Sequence, residues 1–168
     1  MSVSMYEASV PVFVRGLKNL AAILAKGEAF AAEKGMDASE LTNAKLAEDM
    51  YPLVRQIQIA SDAVKGAGGR LSGAEIPSFE DSEVTFADMQ ARIAKTVSFL
   101  EGLDASAFGG SADKDVTLAI KGNEMTFSGK DYLFGFAMPN FYFHATTAYD
   151  ILRHKGVPLG KKDFLGSN

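Results

Sequence analysis

The sequence predicts a mainly α-helical protein, an up-and-down four-helix bundle with a small β-hairpin inserted before the last helix. Four stretches repeat apolar residues at steps of three and four, which is the spacing of one helix face. Residues 115–128 alternate apolar and polar residues instead, as a pair of strands does. The links between the stretches are short, which favours antiparallel helix neighbours.

The first long helix is predicted from the start of the chain to a glycine-weakened end. Pro11 falls in its opening turns, where a missing N–H costs least. Gly27 and then Gly35 weaken its end. Its apolar face consists of Tyr6, Val10, Phe13, Leu17, Leu20 and Leu24.

A short helix and the second long helix follow. Asp37 and Glu40 have the spacing of a capping box, which predicts a short helix through about Asp49. Pro52 then introduces a kink or a fresh start, and Asp49 is placed to cap the second long helix. The GAGG sequence at 66–69 is predicted to fray the end of that helix. The apolar face consists of Leu53, Ile57, Ala60 and Val64.

The third long helix is predicted to follow the loop SGAEIPSFEDSE. Thr85 and Asp88 have the spacing of a second capping box, and the helix is predicted to end near Gly102. Its buried face is predicted to consist of Phe86, Met89, Ile93, Val97 and Leu100.

The alternating stretch predicts a β-hairpin whose apolar side chains share one face. A two-residue turn at 122–123 would place Ile120 opposite Met125 and Leu118 opposite Phe127. Because a two-stranded hairpin is marginal alone, we expect it to lie against the helices.

The last helical region is predicted to begin after Ser128, which can cap it together with Asp131. Pro139 kinks or restarts the helix, and Gly156 followed by Pro158 ends it. Its apolar stripe consists of Phe141, Ala145, Ala148 and Leu152.

The composition bounds the functions that the chain can have. Its 168 residues suit one domain, residues 1–168. A net charge of -4 argues against a nucleic-acid partner. The absence of cysteine excludes disulfides, thiolate catalysis and thiolate metal ligands. No leader peptide and no uncharged apolar window of membrane-spanning length is expected, so we predict a cytoplasmic protein without a membrane partner.

Three sequence blocks resemble a known bacterial family. They are MYEASVPVF at the start, DMYPLVRQIQIASD at 49–62 and PNFYFHATTAYDILRHKGVPLGKKDFLG at the end. With these blocks, nearly the whole chain resembles the uncharacterised family DUF1993, within the DinB/YfiT-like superfamily of four-helix bundles. The resemblance implies a DinB-like bundle, and it implies that homodimers are common.

The superfamily resemblance also implies a metal site at one end of the bundle. The site usually has one histidine on the second helix and two on the last, in a His-x-x-x-His pair, and some members are metal-dependent thiol transferases. Here His144 matches the first histidine of the pair, and Ala148 stands at the second position. The second helix offers no histidine but Arg55, Gln56, Gln58 and Asp62.

The residues themselves also disfavour a metal centre. The two histidines, His144 and His154, are ten residues apart, which separates them by about 15 Å along one helix. A site would need His144 plus carboxylates from other helices, with Asp62 or Glu83 as candidates. We therefore favour an interior or pocket histidine and expect no cofactor, with a divalent transition metal at His144 as the alternative.

A polar pocket beside His144 is the predicted binding site. Three polar residues of the second long helix, Arg55, Gln58 and Asp62, are three or four positions apart and share one side. They form a pocket wall if that side faces the last helix, and a solvated face otherwise. The predicted pocket residues are His144, Tyr142, Gln58, Asp62, Arg55 and Tyr51.

Aromatic residues concentrate between positions 132 and 143, more than one helix face can direct to a core. Core packing plus a homodimer face is the favoured interpretation, and a cage for a small apolar ligand is the alternative. The GAGG sequence does not predict a phosphate loop, because a helix precedes it. No Gly-x-Ser-x-Gly sequence supports a serine hydrolase.

Three functions stay open from the sequence. The leading hypothesis is a cytoplasmic, homodimeric protein without the usual three-histidine site that binds a small molecule near His144. The first alternative is a metal-dependent enzyme, such as a thiol-dependent transferase. The second is a homodimeric partner-binding module that uses the aromatic segment.

Overall fold

The computed structural model describes residues 3–120 and 122–166, without the side chain of Ile120. The chain is mainly helical with one two-stranded antiparallel hairpin. The helices are α1 (Met5–Lys34), α2 (Ser39–Thr42), α3 (Leu53–Ser72), α4 (Phe86–Glu101), α5 (Gly129–Asp131), α6 (Met138–His154) and α7 (Lys161–Leu165). The strands are β1 (Asp115–Ile120) and β2 (Asn123–Ser128), a 3-10 turn covers Ala105–Phe108, and a π-helical segment, Tyr132–Ala137, joins α5 to α6.

The four long helices bury one shared apolar core, as the sequence predicts. α3 packs mainly on α6 and α4, and α1 packs mainly on α4. Every residue of the four predicted apolar faces is buried except Tyr6, which is half-buried. The helix periodicity therefore identified the core correctly, because each face covers the others.

α1 differs from the expectation that no segment approaches a membrane span. An 18-residue stretch of this helix has a mean hydropathy of 1.3, enough for a span by length and composition alone. Buried core helices can have the same length and hydropathy. In the fold, Phe13, Leu17 and Leu24 of α1 are fully buried against the other helices.

The segment between α1 and α3 is less helical than predicted. α2 stops at Thr42, and the backbone N–H of Leu53 donates to the carbonyl of Ala44 (2.9 Å), a tertiary bond that replaces further helix. α3 begins directly after Pro52 without a side-chain cap, so the predicted capping by Asp49 is wrong.

Gly35 ends α1 as predicted, but the glycines inside two long helices do not interrupt them, and that part of the prediction is wrong. α1 continues past Gly27, and α3 runs through the GAGG sequence to end at Gly73, whose φ is 81°. A Cβ at Gly68 would lie 2.7 Å from Leu100, and one at Gly69 would lie 2.3 Å from Ile76. These glycines permit close packing, and that tertiary requirement outweighs their low helix propensity.

The hairpin forms with a register shifted by two residues from the predicted one. Leu118 pairs with Met125, and Val116 pairs with Phe127. Gly122, with φ of 81°, supplies the turn conformation. The turn therefore lies one position earlier in the chain than predicted. A shift of two preserves the face of every side chain, so Val116 and Leu118 are still buried as the pattern requires. The predicted contact of the Ile120 side chain lies outside the described residues.

The predicted start and end of the last helical region are confirmed. Ser128 accepts a hydrogen bond from the backbone N–H of Asp131 (3.1 Å), and Pro139 lies in the first turn of α6. Gly156, with φ of 95°, follows the end of α6. The short helix α7 beyond it, which packs on α1, was not predicted.

Candidate functional site

His144 is buried between α6 and α3, where it is hydrogen-bonded to Gln56. The imidazole Nδ1 lies 2.7 Å from Oε1 of Gln56. The amide Nε2 of Gln56 donates to the backbone carbonyl of Tyr51 (2.9 Å). Because that bond fixes the amide, its oxygen faces the imidazole, and Nδ1 of His144 must carry the proton and donate it.

The resulting imidazole is neutral and presents the lone pair of Nε2. Burial, and then the positive charge of Arg55, lower the pKa of His144 below its usual 6.5. Among the described residues, only Thr42 Oγ1 and Arg92 Nε are fully buried side-chain atoms without a hydrogen-bond partner. Nε2 of His144 is therefore not fully buried, and its lone pair can accept a hydrogen bond or a proton.

We expect the stability of the fold to fall as the pH drops below about 6.5. His144 has a lower pKa in the folded state, so the unfolded chain binds the proton first and is favoured. Denaturant titrations between about pH 5 and pH 7.5 should show this loss in the wild type. His144→Gln should flatten the dependence in that window, whereas His154→Gln, at an exposed position, should retain it. An equal slope in wild type and His144→Gln would contradict the interpretation.

A groove between α3, α6 and the hairpin adjoins the His144–Gln56 pair. We call it the α3–α6 groove; its volume is about 250 Å³. Asn140 lies one helical turn before His144 on α6, and Ile59 lies one turn after Gln56 on α3. The pair therefore lies one helical turn beyond these two residues of the groove wall. Residues lining the groove include Ile59, Asp62, Arg70, Leu118, Tyr132 and Asn140.

Arg70 brings a positive charge to the groove. Its Nη1 donates to the hydroxyl of the buried Tyr132 (3.3 Å), and the guanidinium lies 5.9 Å from the ring centroid. Burial raises the pKa of Tyr132 and keeps this phenol protonated. Gly66 makes room for the guanidinium, because a Cβ there would lie 2.3 Å from Nη1. Arg70 forms no salt bridge with any residue in the described part of the chain.

The carboxylates near the groove are paired with a buried arginine of α4. Arg92 is fully buried, and its guanidinium contacts Oε1 of Glu83 (3.0 Å), Oδ1 of Asp62 (2.9 Å) and Oδ1 of Asp81 (3.1 Å). Lys65 adds a second cation 3.0 Å from Asp62. Burial alone would raise the pKa of Glu83, but hydrogen bonds from Gln58 and Arg92, with the arginine charge, lower it overall.

The polar side of α3 thus binds the loop before α4. Gln58 donates to Glu83 (2.9 Å) and accepts from Arg55 (2.9 Å), and Arg55 also pairs with Asp81. These side chains are partners of one another, and they hold residues 80–83 against the helices. Their polarity is explained by this network.

Comparison with known proteins identifies the family. The family described as "Domain of unknown function (DUF1993)" matches residues 5–165. The chain belongs to the DUF1993 family. It is also similar to a solved structure from Shewanella denitrificans described as a DinB family member. The identity is 42%, the TM-score is 0.91, and 98% of this chain and 93% of that chain are covered. No curated protein matches the chain significantly.

The residues of this DUF1993 member do not fit the three-histidine centre that a DinB-like fold implies. Within residues 3–120 and 122–166, no group of three His, Cys, Asp or Glu side chains could hold a metal ion. Ala148 cannot ligate, and the other histidine, His154, is ten residues from His144 on the same helix. Asp62 and Glu83, the carboxylates predicted as helpers, are bound to Arg92 instead.

The structure does not bring the predicted pocket residues together in one pocket. Asp62 lines the α3–α6 groove, His144 lies one helical turn after the lining residue Asn140, and Gln58 and Arg55 belong to the network around Arg92. Tyr51 is exposed and contributes its backbone carbonyl to Gln56. Tyr142 does not join them, because it lines a separate cavity against α1.

Three important residues were not among the predicted pocket residues: Gln56, Arg70 and Arg92. Two had a signal in the sequence. Arg92 lies three residues after Met89 within an apolar stripe, where a charge needs buried partners. Arg70 follows Gly66 by four, so the glycine lies beneath its side chain. Gln56 had no comparable signal, because it is one of several polar residues on α3.

Proposed function

We propose that this DUF1993 member binds a small anionic molecule in the α3–α6 groove, with Arg70 as its anchor and without a three-histidine metal centre. The observation that carries the proposal is the charge of Arg70. Each carboxylate of the neighbouring network already has a cationic partner, whereas Arg70 is held on a buried phenol without a salt bridge among the described residues. Arginine binds carboxylates through two parallel N–H donors, which favours an oxyanion ligand.

The other walls of the groove fit a small organic acid. Ile59, Leu118 and Ala137 supply apolar surface, and Asn140 offers an amide that can donate or accept. At the far end, Nε2 of His144 accepts from a hydroxyl or amide of a longer ligand. The guanidinium of Arg70 lies beside Gly66. Gly66 is ten residues after Gln56, the partner of His144, so the two ends of the site are about 15 Å apart along α3.

Thermal shift measurements at low ionic strength test the proposal with three probes: succinate, malate and inorganic phosphate. We expect at least one probe to raise the melting temperature of the wild type. Arg70→Met should abolish that shift, because it removes the charge but retains an unbranched stem. Arg153→Met, an exposed arginine at the end of α6, is the matched control and should keep the shift.

Gly66→Ala tests the same anchor without removing a charge. The new methyl would occupy the place of the Arg70 guanidinium and displace it from Tyr132. Alanine also raises helix propensity by about 1 kcal/mol, so the fold should not weaken greatly. We expect Gly66→Ala to lose the ligand-induced shift. Gly68→Ala clashes with the core instead, and its folded fraction should bind as the wild type does. Retained binding in both Arg70→Met and Gly66→Ala would refute the anchor.

The finer features of the architecture belong to the same proposal. We infer the up-and-down order of the four-helix bundle. Gln56 contacts His144, whereas Ala63, later on α3, lines the groove with Asn140, earlier on α6, which supports antiparallel packing of these helices. The cytoplasmic location and the homodimer remain predictions. The exposed rings of Phe134 and Phe143 are consistent with a dimer face, and sedimentation of the purified protein tests it.

A further inference from the structure

A second cavity, separate from the α3–α6 groove, lies between α1, α6 and α7. We call it the α1–α6–α7 cavity; its volume is about 270 Å³. Its walls are mainly apolar, and three aromatic rings contribute to them, those of Phe141, Tyr142 and Phe164. Gly16 forms part of the floor without a side chain, because a Cβ there would lie 2.7 Å from the ring of Phe141.

The cavity is covered by α7, which is held on α1 by polar contacts. Nη2 of Arg15 donates to the carbonyl of Leu165 (3.1 Å), and Nδ2 of Asn19 donates to the carbonyl of Phe164 (3.1 Å). Nζ of Lys26 pairs with Asp163 (2.6 Å) at the start of α7. No residue of α7 is fully buried. The last helix therefore covers the cavity without being part of the core.

We propose that the α1–α6–α7 cavity binds a small single-ring aromatic molecule and that α7 is its lid. Aromatic rings prefer edge-to-face or offset contacts with other rings, and three rings offer them here. The volume lies below the range of about 300–1,000 Å³ typical of drug-sized ligands, which restricts the ligand to roughly one ring. The hydroxyl of Tyr142 and the amide of Asn19 at the wall favour a ring that carries one hydroxyl or carbonyl group.

Phenol is the probe, and methyl NMR of the full chain is the measurement. Saturable shifts are expected for the methyl groups that line the cavity, those of Leu20, Ile23 and Leu165. Val12→Phe places a ring in the cavity and should weaken phenol binding by about tenfold or more. Val14→Phe is the matched control, because Val14 is equally half-buried on α1 but does not line this cavity. It should bind phenol as the wild type does.

Four further variants separate binding in the cavity from a general loss of folding and test the lid. Tyr142→Leu changes a wall residue that is 40% exposed, so it should fold and bind phenol more weakly. Lys26→Met loosens α7 and should weaken phenol binding several-fold, whereas Lys18→Met breaks a comparable exposed pair with Glu101 and should not. Gly66→Ala, which disables the other site, should bind phenol normally. Unsaturable shifts in the wild type, or unchanged binding in both Val12→Phe and Tyr142→Leu, would overturn the proposal. Lid action would be refuted by equal binding in Lys26→Met and Lys18→Met.

Discussion

Replacing Arg92 with methionine is expected to lower the free energy of unfolding by about 3–5 kcal/mol. Arg92 is fully buried, and the side chain of Glu83 is only 6% exposed. Methionine would fill much of the space but would leave the Glu83 carboxylate buried without its cation. Breaking a buried pair from one side is costly, because the remaining charge keeps its desolvation penalty. Urea denaturation at neutral pH measures the change.

Two further variants separate the buried charge from a general loss of arginine. Arg55→Met removes a guanidinium that also binds Asp81, but this pair is 36% and 40% exposed, so we expect a loss of about 1 kcal/mol or less. Adding Glu83→Gln to Arg92→Met should recover part of the lost stability, because the unpaired charge is removed as well. An Arg92→Met variant as stable as Arg55→Met would show that the network contributes little to the fold.

Replacing Phe141 with alanine is expected to cost about 3–5 kcal/mol of unfolding free energy. The ring is fully buried and lies edge-on to Phe13, with centroids 5.6 Å apart. α1 packs so closely against the Phe141 ring that Gly16 has no room for a Cβ. Because α1 is already this close, we expect the helices to fill little of the space that the ring leaves. The vacated space would join the α1–α6–α7 cavity.

The aromatic two residues later provides the control for Phe141. Phe143 is 58% exposed, and Phe143→Ala should change stability by about 0.5 kcal/mol or less. Denaturant midpoints of the two variants, measured side by side, separate core burial from a general effect of losing a ring. A small effect of Phe141→Ala would mean that α1 and α6 repack readily.

The core could be predicted from the sequence because the spacing of apolar residues along each helix indicates which face is buried. Phe13, Ile57, Ile93 and Leu152 all follow the predicted stripes and are all buried. The errors arose where tertiary packing outweighs local preference. Gly68 looks like a helix breaker, but the close approach of Leu100 requires a residue without a side chain. The predicted strand register was wrong by two residues, because a shift of two leaves the apolar pattern unchanged.

The site was less predictable than the core, for a geometric reason. One residue turns a helix by about 100°, so neighbouring polar residues on α3 point in different directions. His144 was identified, but its partner is Gln56, whereas Gln58 faces Glu83. Tyr142 and His144 are two residues apart and face different helices, so one pocket could not hold both.

Long-range proton–nitrogen NMR of His144, recorded with and without zinc, tests most directly whether this imidazole is a metal ligand. At neutral pH, we predict a neutral ring protonated at Nδ1, as the bond to Gln56 requires, and we predict that one equivalent of zinc leaves its signals unchanged. Zinc-dependent shifts of the ring nitrogens would contradict the assignment of His144 as a non-metal residue beside the α3–α6 groove, and a ring protonated at Nε2 would contradict its donation to Gln56.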